Sequence, residues 1–179
     1  MDETTLNQNA NAIDMLIADH KKVDQLFKQF KKIKDNASDS EKLELVKQIC
    51  LELTIHTQLE EEIFYPAVRK EIQDEDLMDE ALVEHGEAKG IIAQLFELQP
   101  GDDLYDARVI VLSENIEHHV EEEQDEMFPK VRKTGIDLNA LGAQMMERKT
   151  ELQAEYEDQL PQLNPIIKGK SASNRARAS

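Results

Sequence analysis

The chain has 179 residues, 38 acidic against 21 basic, for a formal charge of −17, a length that suits one domain or one domain with a tail. The acidity excludes a basic face able to displace counterions from nucleic acid, and no apolar run nears the ~20 residues that span a bilayer. A single cysteine, Cys50, and the acidic start Met1-Asp2-Glu3 exclude an intrachain disulfide, a cysteine-rich metal framework and the basic lead of a secretory signal, so composition points to a soluble, cytoplasmic helical protein with neither nucleic-acid nor membrane partner.

Proline and glycine mark several of the segment boundaries, at Pro100-Gly101, Gly135, Pro161 and Pro165, which is helical punctuation. The first predicted helix runs from about Ala12 to Lys34 on the stripe Ile13, Leu16, Ile17, Val23, Phe27 and Phe30, spaced three and four apart. After the loop 35–40, Ser38 and Glu41 read as a capping box for a second helix reaching about Ile72, with Pro66 near its end. A third covers roughly Asp76–Leu98 and stops at Gln99-Pro100-Gly101. A fourth covers roughly Asp103–Lys133, again with a proline, Pro129, near its end. A fifth, Asp137–Leu160, carries Leu138, Leu141, Met145, Leu152 and Tyr156 on one face and is predicted to end at Pro161 and Pro165. Every acid precedes Gln159, and the 161–179 segment holds Lys168, Lys170, Arg175 and Arg177. Its composition predicts a basic, disordered tail after a folded domain of 1–160.

An internal repeat sets the architecture. The stretch Ile55-His56-Thr57-Gln58-Leu59-Glu60 through Tyr65-Pro66-Ala67-Val68-Arg69-Lys70 aligns without gaps to His118-His119-Val120-Glu121-Glu122-Glu123 through Phe128-Pro129-Lys130-Val131-Arg132-Lys133, an offset of 63 residues. Upstream, Asp19-His20 corresponds to Glu84-His85 at an offset of 65. Two similar helical hairpins closing on each other predict an all-α, up-down-up-down four-helix bundle, with the fifth, C-terminal helix packed outside it.

Four of the five histidines fall on inward stripes: His20 on the first helix, His56 on the second, His85 on the third and His119 on the fourth. Glu60 and Glu123 follow His56 and His119 by one turn on the same faces. At ~1.5 Å rise per residue, counting from the hairpin loops puts all four imidazoles within about one turn of a common level. Two carboxylates in a dry core are costly without a counter-charge, and a metal supplies it. Imidazole and carboxylate without thiolate suit iron, manganese or zinc. Six ligands exceed what one tetrahedral zinc uses, whereas two ions bridged by the carboxylates, with a shared oxo or hydroxo group, use them all. Positions left open on those ions are where dioxygen, peroxide or nitric oxide would bind.

The motif residues Asp19-His20, His56-x3-Glu60 leading to Phe64-Tyr65-Pro66, Glu84-His85, and His119-x3-Glu123 leading to Met127-Phe128-Pro129 make the chain resemble the hemerythrin-like (HHE cation-binding) family over about residues 12–160. The resemblance implies a non-haem di-iron centre in a four-helix bundle, with Glu60 and Glu123 as bridging carboxylates and His20, His56, His85 and His119 as terminal ligands. Oxygen-carrying members have a second histidine one turn after the third-helix histidine; here Lys89 stands there. That departure favours reactive chemistry such as peroxide decomposition or nitric oxide handling, or a storage or sensing role, over reversible oxygen carriage.

Other residues are assigned by the same periodicity. His118 lies about 100° round the helix from His119 and is read as facing outward or toward a neighbouring helix, with a ligand role the minority reading. Glu61, Glu62, Glu121 and Glu122 are read as solvated charges able to serve a ligand histidine from behind. Asp24 and Lys89 each sit one turn after a ligand histidine and are read equally as surface charges or as residues that support a ligand or line a channel to the centre. Tyr65 and Tyr105 are candidate donors to a metal-bound oxygen, with core packing the simpler assignment. Cys50 reads as a small buried hydrophobe.

Overall fold

The computed structural model describes the backbone of residues 10–175 and the side chains of residues 10–157. Helix α1 spans Ala12–Ile33, opened by Asn11 accepting from the Asp14 N–H. Helix α2 spans Asp39–Leu59, with the predicted Ser38/Glu41 capping box formed in both directions. A π turn, Glu60–Phe64, joins it to α3, Tyr65–Ile72. Helix α4 covers Glu75–Glu97 and α5 covers Tyr105–Glu122. A second π turn, Glu123–Met127, leads into α6, Phe128–Arg132, and α7 covers Leu138–Arg175.

The two π turns replace what periodicity predicts as unbroken helix, and the prolines explain them. Pro66 and Pro129 lack an N–H, and each ring would crowd the carbonyl four residues back. The wider turn relieves this: Tyr65 N–H bonds to the Glu60 carbonyl and Phe128 N–H to that of Glu123, five residues back in each case. In an α-helix, Tyr65 would lie about 140° round from Glu60. The extra residue in the turn brings it back toward the face carrying His56 and Glu60.

Helix α1 packs on α2 and α5, and α4 packs on α5 and α2, which closes the predicted up-down-up-down square. Helix α7 lies against α1, α2 and the first π turn, the added element outside the bundle. Gly142 permits that approach: a Cβ there would fall 2.7 Å from the Ala10 carbonyl oxygen and 2.8 Å from the Ala12 nitrogen. The backbone of α7 runs on through Pro161 and Pro165, where the sequence places its end. A proline costs a helix one hydrogen bond but holds φ near the helical value. The side chains of the predicted basic tail lie outside the described residues.

Two apolar clusters fill the interior. One contains Ile13, Leu16, Leu59, Phe64, Met78 and Met127, together with Met145 and Leu152 of α7. The other contains Val23, Phe27, Phe30, Ile49, Leu53, Ala88 and Leu112. On every bundle helix, the chain passes from one cluster to the other across a histidine. That crossing layer holds His20, His56, Glu60, His85, His119 and Glu123, all buried. Among the described residues, no helix is long and apolar enough to cross a membrane.

Candidate metal centre

All six sequence-predicted ligands converge. His20 Nε2 is 3.2 Å from His56 Nε2, and His85 Nε2 is 3.1 Å from His119 Nε2, so the imidazoles form two pairs. Two atoms bound at ~2.1 Å to one ion and about 100° apart lie ~3.2 Å from each other, which is the spacing within each pair. Glu60 spans the pairs, with Oε1 3.2 Å from His56 Nε2 and Oε2 3.2 Å from His85 Nε2. Glu123 is placed differently. Its Oε2 faces His20 Nε2 at 3.2 Å and His119 Nε2 at 3.6 Å, while its Oε1 accepts a hydrogen bond from the Tyr65 hydroxyl at 2.8 Å.

The donor set fits a metal on its own terms. Glu60 is 0% exposed and Glu123 1%, yet both oxygens of Glu60 and Oε2 of Glu123 receive no hydrogen bond. Buried polar groups are normally satisfied, and a buried carboxylate needs a cation or a donor. Where no ion is bound, imidazole protons would fill this role. Burial disfavours the His56 cation, but the Glu60 and Asp19 carboxylates outweigh it and raise its pKa to about 10. For His119, burial is likewise overcome by Glu123 and Glu84, to about 9. Burial would raise the Glu60 carboxyl, yet His56 and His85 hold it well below its ordinary value. The layer therefore attracts positive charge wherever it can obtain it.

Carboxylates stand behind three of the imidazoles, and hydrogen bonds to them fix the orientation of His85 and His119. His85 Nδ1 donates to Glu61 Oε1 at 2.9 Å, and Lys89 Nζ donates to both Glu61 oxygens at 2.6 Å. His119 Nδ1 donates to Glu84 Oε2 at 2.6 Å. His56 Nδ1 lies 3.6 Å from Asp19 Oδ2, and Asp19 Oδ1 accepts from Lys149 of α7 at 2.5 Å. Lys89 is thus engaged by Glu61. Asp24 pairs with Lys28 on the surface, Glu62 pairs with Arg148, and His118 is 62% exposed as its position on the helix predicts.

Two roles escaped the sequence reading, and a third was one of two assignments it offered. Tyr65, 3% exposed, belongs to the centre: its oxygen is also 3.2 Å from His85 Nε2 and 3.4 Å from His119 Nε2. The available signal was the proline beside it, which forces the wide turn. Asp19 and Glu84 each serve the histidine of the next helix rather than their chain neighbour. Their signal was the acid-histidine pair repeated in both halves. Tyr105 remains away from the centre, in the cluster with Cys50, whose thiol burial pushes up to about 12.

Two openings lie near the layer. A cleft of about 250 Å3 between α1 and α5 reaches His20, lined also by Asp24, Phe27, Ile116 and Gln124. A void of about 10 Å3, room for about one water, lies beside His20, His56 and His119 against Val23, Leu53, Ile116 and Val120. A groove of about 900 Å3 between α1 and α2 touches none of the six residues.

A four-helix bundle with a buried histidine–glutamate layer of this kind defines a metal-binding protein. The hemerythrin HHE cation-binding domain model matches residues 11–131, and the chain belongs to that family. A protein described as a DNA nickase, from Nostoc sp., is 31% identical over 126 residues; the match covers 70% of this chain but 34% of that protein. The chain thus spans about a third of that relative's length. A crystal structure of a hemerythrin HHE cation-binding domain-containing protein from Mycobacterium kansasii superposes with a TM-score of 0.70 at 24% identity. It covers 85% of this chain and 93% of the other, a likeness of fold.

Proposed function

We propose that the centre holds two iron ions, one at each imidazole pair, and reacts with small oxygen or nitrogen species: dioxygen, peroxide or nitric oxide. The observation that carries this reading is Glu60, fully buried, with one unsatisfied oxygen turned to each pair. Such an ion pair, when bound, supplies one-electron redox steps and free positions for a diatomic or peroxidic ligand. Manganese or zinc would satisfy the same nitrogen and oxygen donors, so metal identity is part of the test.

The chain's own residues shape what can happen there. His20 and His56 serve one position, and His85 and His119 the other. With Lys89 held by Glu61, the second position gains no third histidine, which favours reactivity over carriage. Tyr65 adds an oxygen on that side. Its pKa is held well above the ordinary phenol value by burial and by the Glu123 and Glu60 charges, so it stays protonated and keeps a proton at Glu123 Oε1. Apolar Leu53, Ile116 and Val120 limit water beside the imidazoles. The single buried thiol suits a reducing, cytoplasmic setting. Nicking of DNA is not carried over from the Nostoc relative: the match covers 34% of that protein, and a net charge of −17 disfavours phosphate binding.

Anaerobic loading with ferrous ion followed by metal analysis tests the reading. Two irons per chain are expected, with oxo-bridge absorption on admitting air. Fewer than one iron per chain overturns it. Oxygen release from added peroxide that disappears in Glu60→Ala selects peroxide decomposition; metal uptake without any such reaction favours storage or sensing.

A further inference from the structure

Outside the buried layer, a second set of ligand-type side chains gathers on the outer side of α4 and α5. His118 and Glu122 repeat the H-x3-E spacing of His119 and Glu123 one residue earlier, and Glu84 faces them from α4. His118 Nε2 is 3.5 Å from Glu84 Oε1 and 3.4 Å from Glu122 Oε1, and one donor atom from each of the three lies within 4.8 Å of the others. These separations are long for hydrogen bonds. They match two ligands bound at ~2.1 Å and set tetrahedrally about one ion, which lie ~3.4 Å apart.

The internal repeat gives an independent reason to expect a cation there. Asp19 corresponds to Glu84, and His56 to His119. On the first half, Asp19 turns one oxygen to His56 and the other to the ammonium of Lys149, at 3.6 and 2.5 Å. On the second half, Glu84 Oε2 accepts from His119 at 2.6 Å, but among the described residues no lysine or arginine pairs with its other oxygen. That oxygen faces His118 and Glu122 instead. Their counterparts on the first half are Ile55 and Leu59, buried in the cluster that α7 completes. The first half receives a helix bearing a lysine; the second presents an imidazole and a carboxylate to solvent, with Glu80 and Glu126 adding negative charge beside Glu122.

We propose that His118, Glu84 and Glu122 form a third, solvent-facing site for a divalent transition-metal ion, occupying the place that the Lys149 ammonium holds on the other half. Because Glu84 is shared, an ion there stands one carboxylate away from His119 and reinforces its orientation. Imidazole with two carboxylates suits zinc, manganese or ferrous ion.

Equilibrium dialysis of the full chain against Zn2+, with metal counted per chain, compares wild type with His118→Ala and Glu122→Gln. Both variants alter exposed or half-exposed side chains and spare all six buried ligands. Wild type is expected to retain one zinc more than either variant, and the His118 ring resonances to shift as that equivalent binds. If the buried centre takes up no metal, all three counts fall together and the difference of one persists, so the two readings fail separately. Equal counts in wild type and both variants, with the His118 resonances unmoved, overturn the third site.

Discussion

Replacing Tyr65 with phenylalanine removes a single oxygen from the centre and leaves the ring packing in place. That oxygen donates to Glu123 Oε1 at 2.8 Å, and both groups are almost wholly buried, so water does not replace the lost donor. A hydrogen bond to a charged acceptor is worth ~1.5–3 kcal/mol, and stranding the acceptor in the interior places the loss in the upper part of that range. For a domain of this size each 1 kcal/mol moves Tm by ~2–4 °C, so the Tyr65→Phe chain is expected to unfold roughly 5–10 °C below wild type. Calorimetry on metal-stripped protein reads this directly, and circular dichroism at low temperature verifies that the bundle is intact. If the variant melts with wild type, the Tyr65–Glu123 bond contributes nothing, and the place of Tyr65 in the centre must be abandoned.

Two further predictions rest on other features. His56 and His119 have folded pKa values of about 10 and 9, above the ~6.5 of an unfolded histidine. Their contribution to metal-free stability is therefore fully present below pH ~6.5 and is lost as pH rises through 9 to 10. Metal must displace those protons, so affinity is expected to climb with pH over the same interval, with protons released on binding at pH 7. Titration calorimetry in buffers of different ionisation enthalpy measures the release, and buffer-independent heats would contradict it. For the backbone, Gly142→Ala drives a Cβ against main-chain atoms at 2.7–2.9 Å and is expected to cost ~1–3 kcal/mol. Gly90→Ala, inside α4 with nothing beyond its own helix turn within 4 Å of the new methyl, is expected to stabilise by ~0.5–1 kcal/mol. Urea unfolding of the pair checks both signs, and two effects of the same sign would show that the α7 approach at Gly142 is not tight.

The bundle was legible because its signals are periodic and duplicated. A stripe such as Ile13, Leu16, Val23 and Phe27 has one helical reading, and the 63- and 65-residue offsets tie each hairpin to its copy. The six buried ligand candidates were legible for a related reason: His56 and Glu60 are polar residues on an apolar stripe, and His119 and Glu123 repeat the anomaly. What escaped depends on interactions that no period encodes. A proline inside a helical pattern reads as a boundary, whereas here Pro66 widens one turn and redirects Tyr65. The partners of Asp19 and Glu84 are across the bundle, so adjacency to His20 and His85 in the chain gave no guide to which imidazole each would hold. Lys149 lies 130 residues from Asp19, on a helix whose only sequence mark was an apolar face.

The position of the polar layer ties metal binding to folding. It lies between the two apolar clusters, and each of the four bundle helices contributes one histidine to it, so no single hairpin contains the whole ligand set. Without an ion, the helices would meet across desolvated carboxylates offset by imidazolium protons and the Tyr65 hydroxyl. An ion that binds the assembled layer but not the separated hairpins stabilises the closed bundle by mass action, ~2.7 kcal/mol at a free concentration 100 times its Kd. That is a sizeable fraction of a typical domain's net stability of ~5–15 kcal/mol. Glu60 makes the coupling sharper, because its two oxygens turn to His56 on α2 and to His85 on α4, which belong to different hairpins. Removing its carboxylate would disconnect the two imidazole pairs from each other as well as from their charge. The layer is therefore both the candidate binding site and the joint between the repeated halves, and on the proposed reading loss of metal should loosen the hairpin interface before it unravels either hairpin.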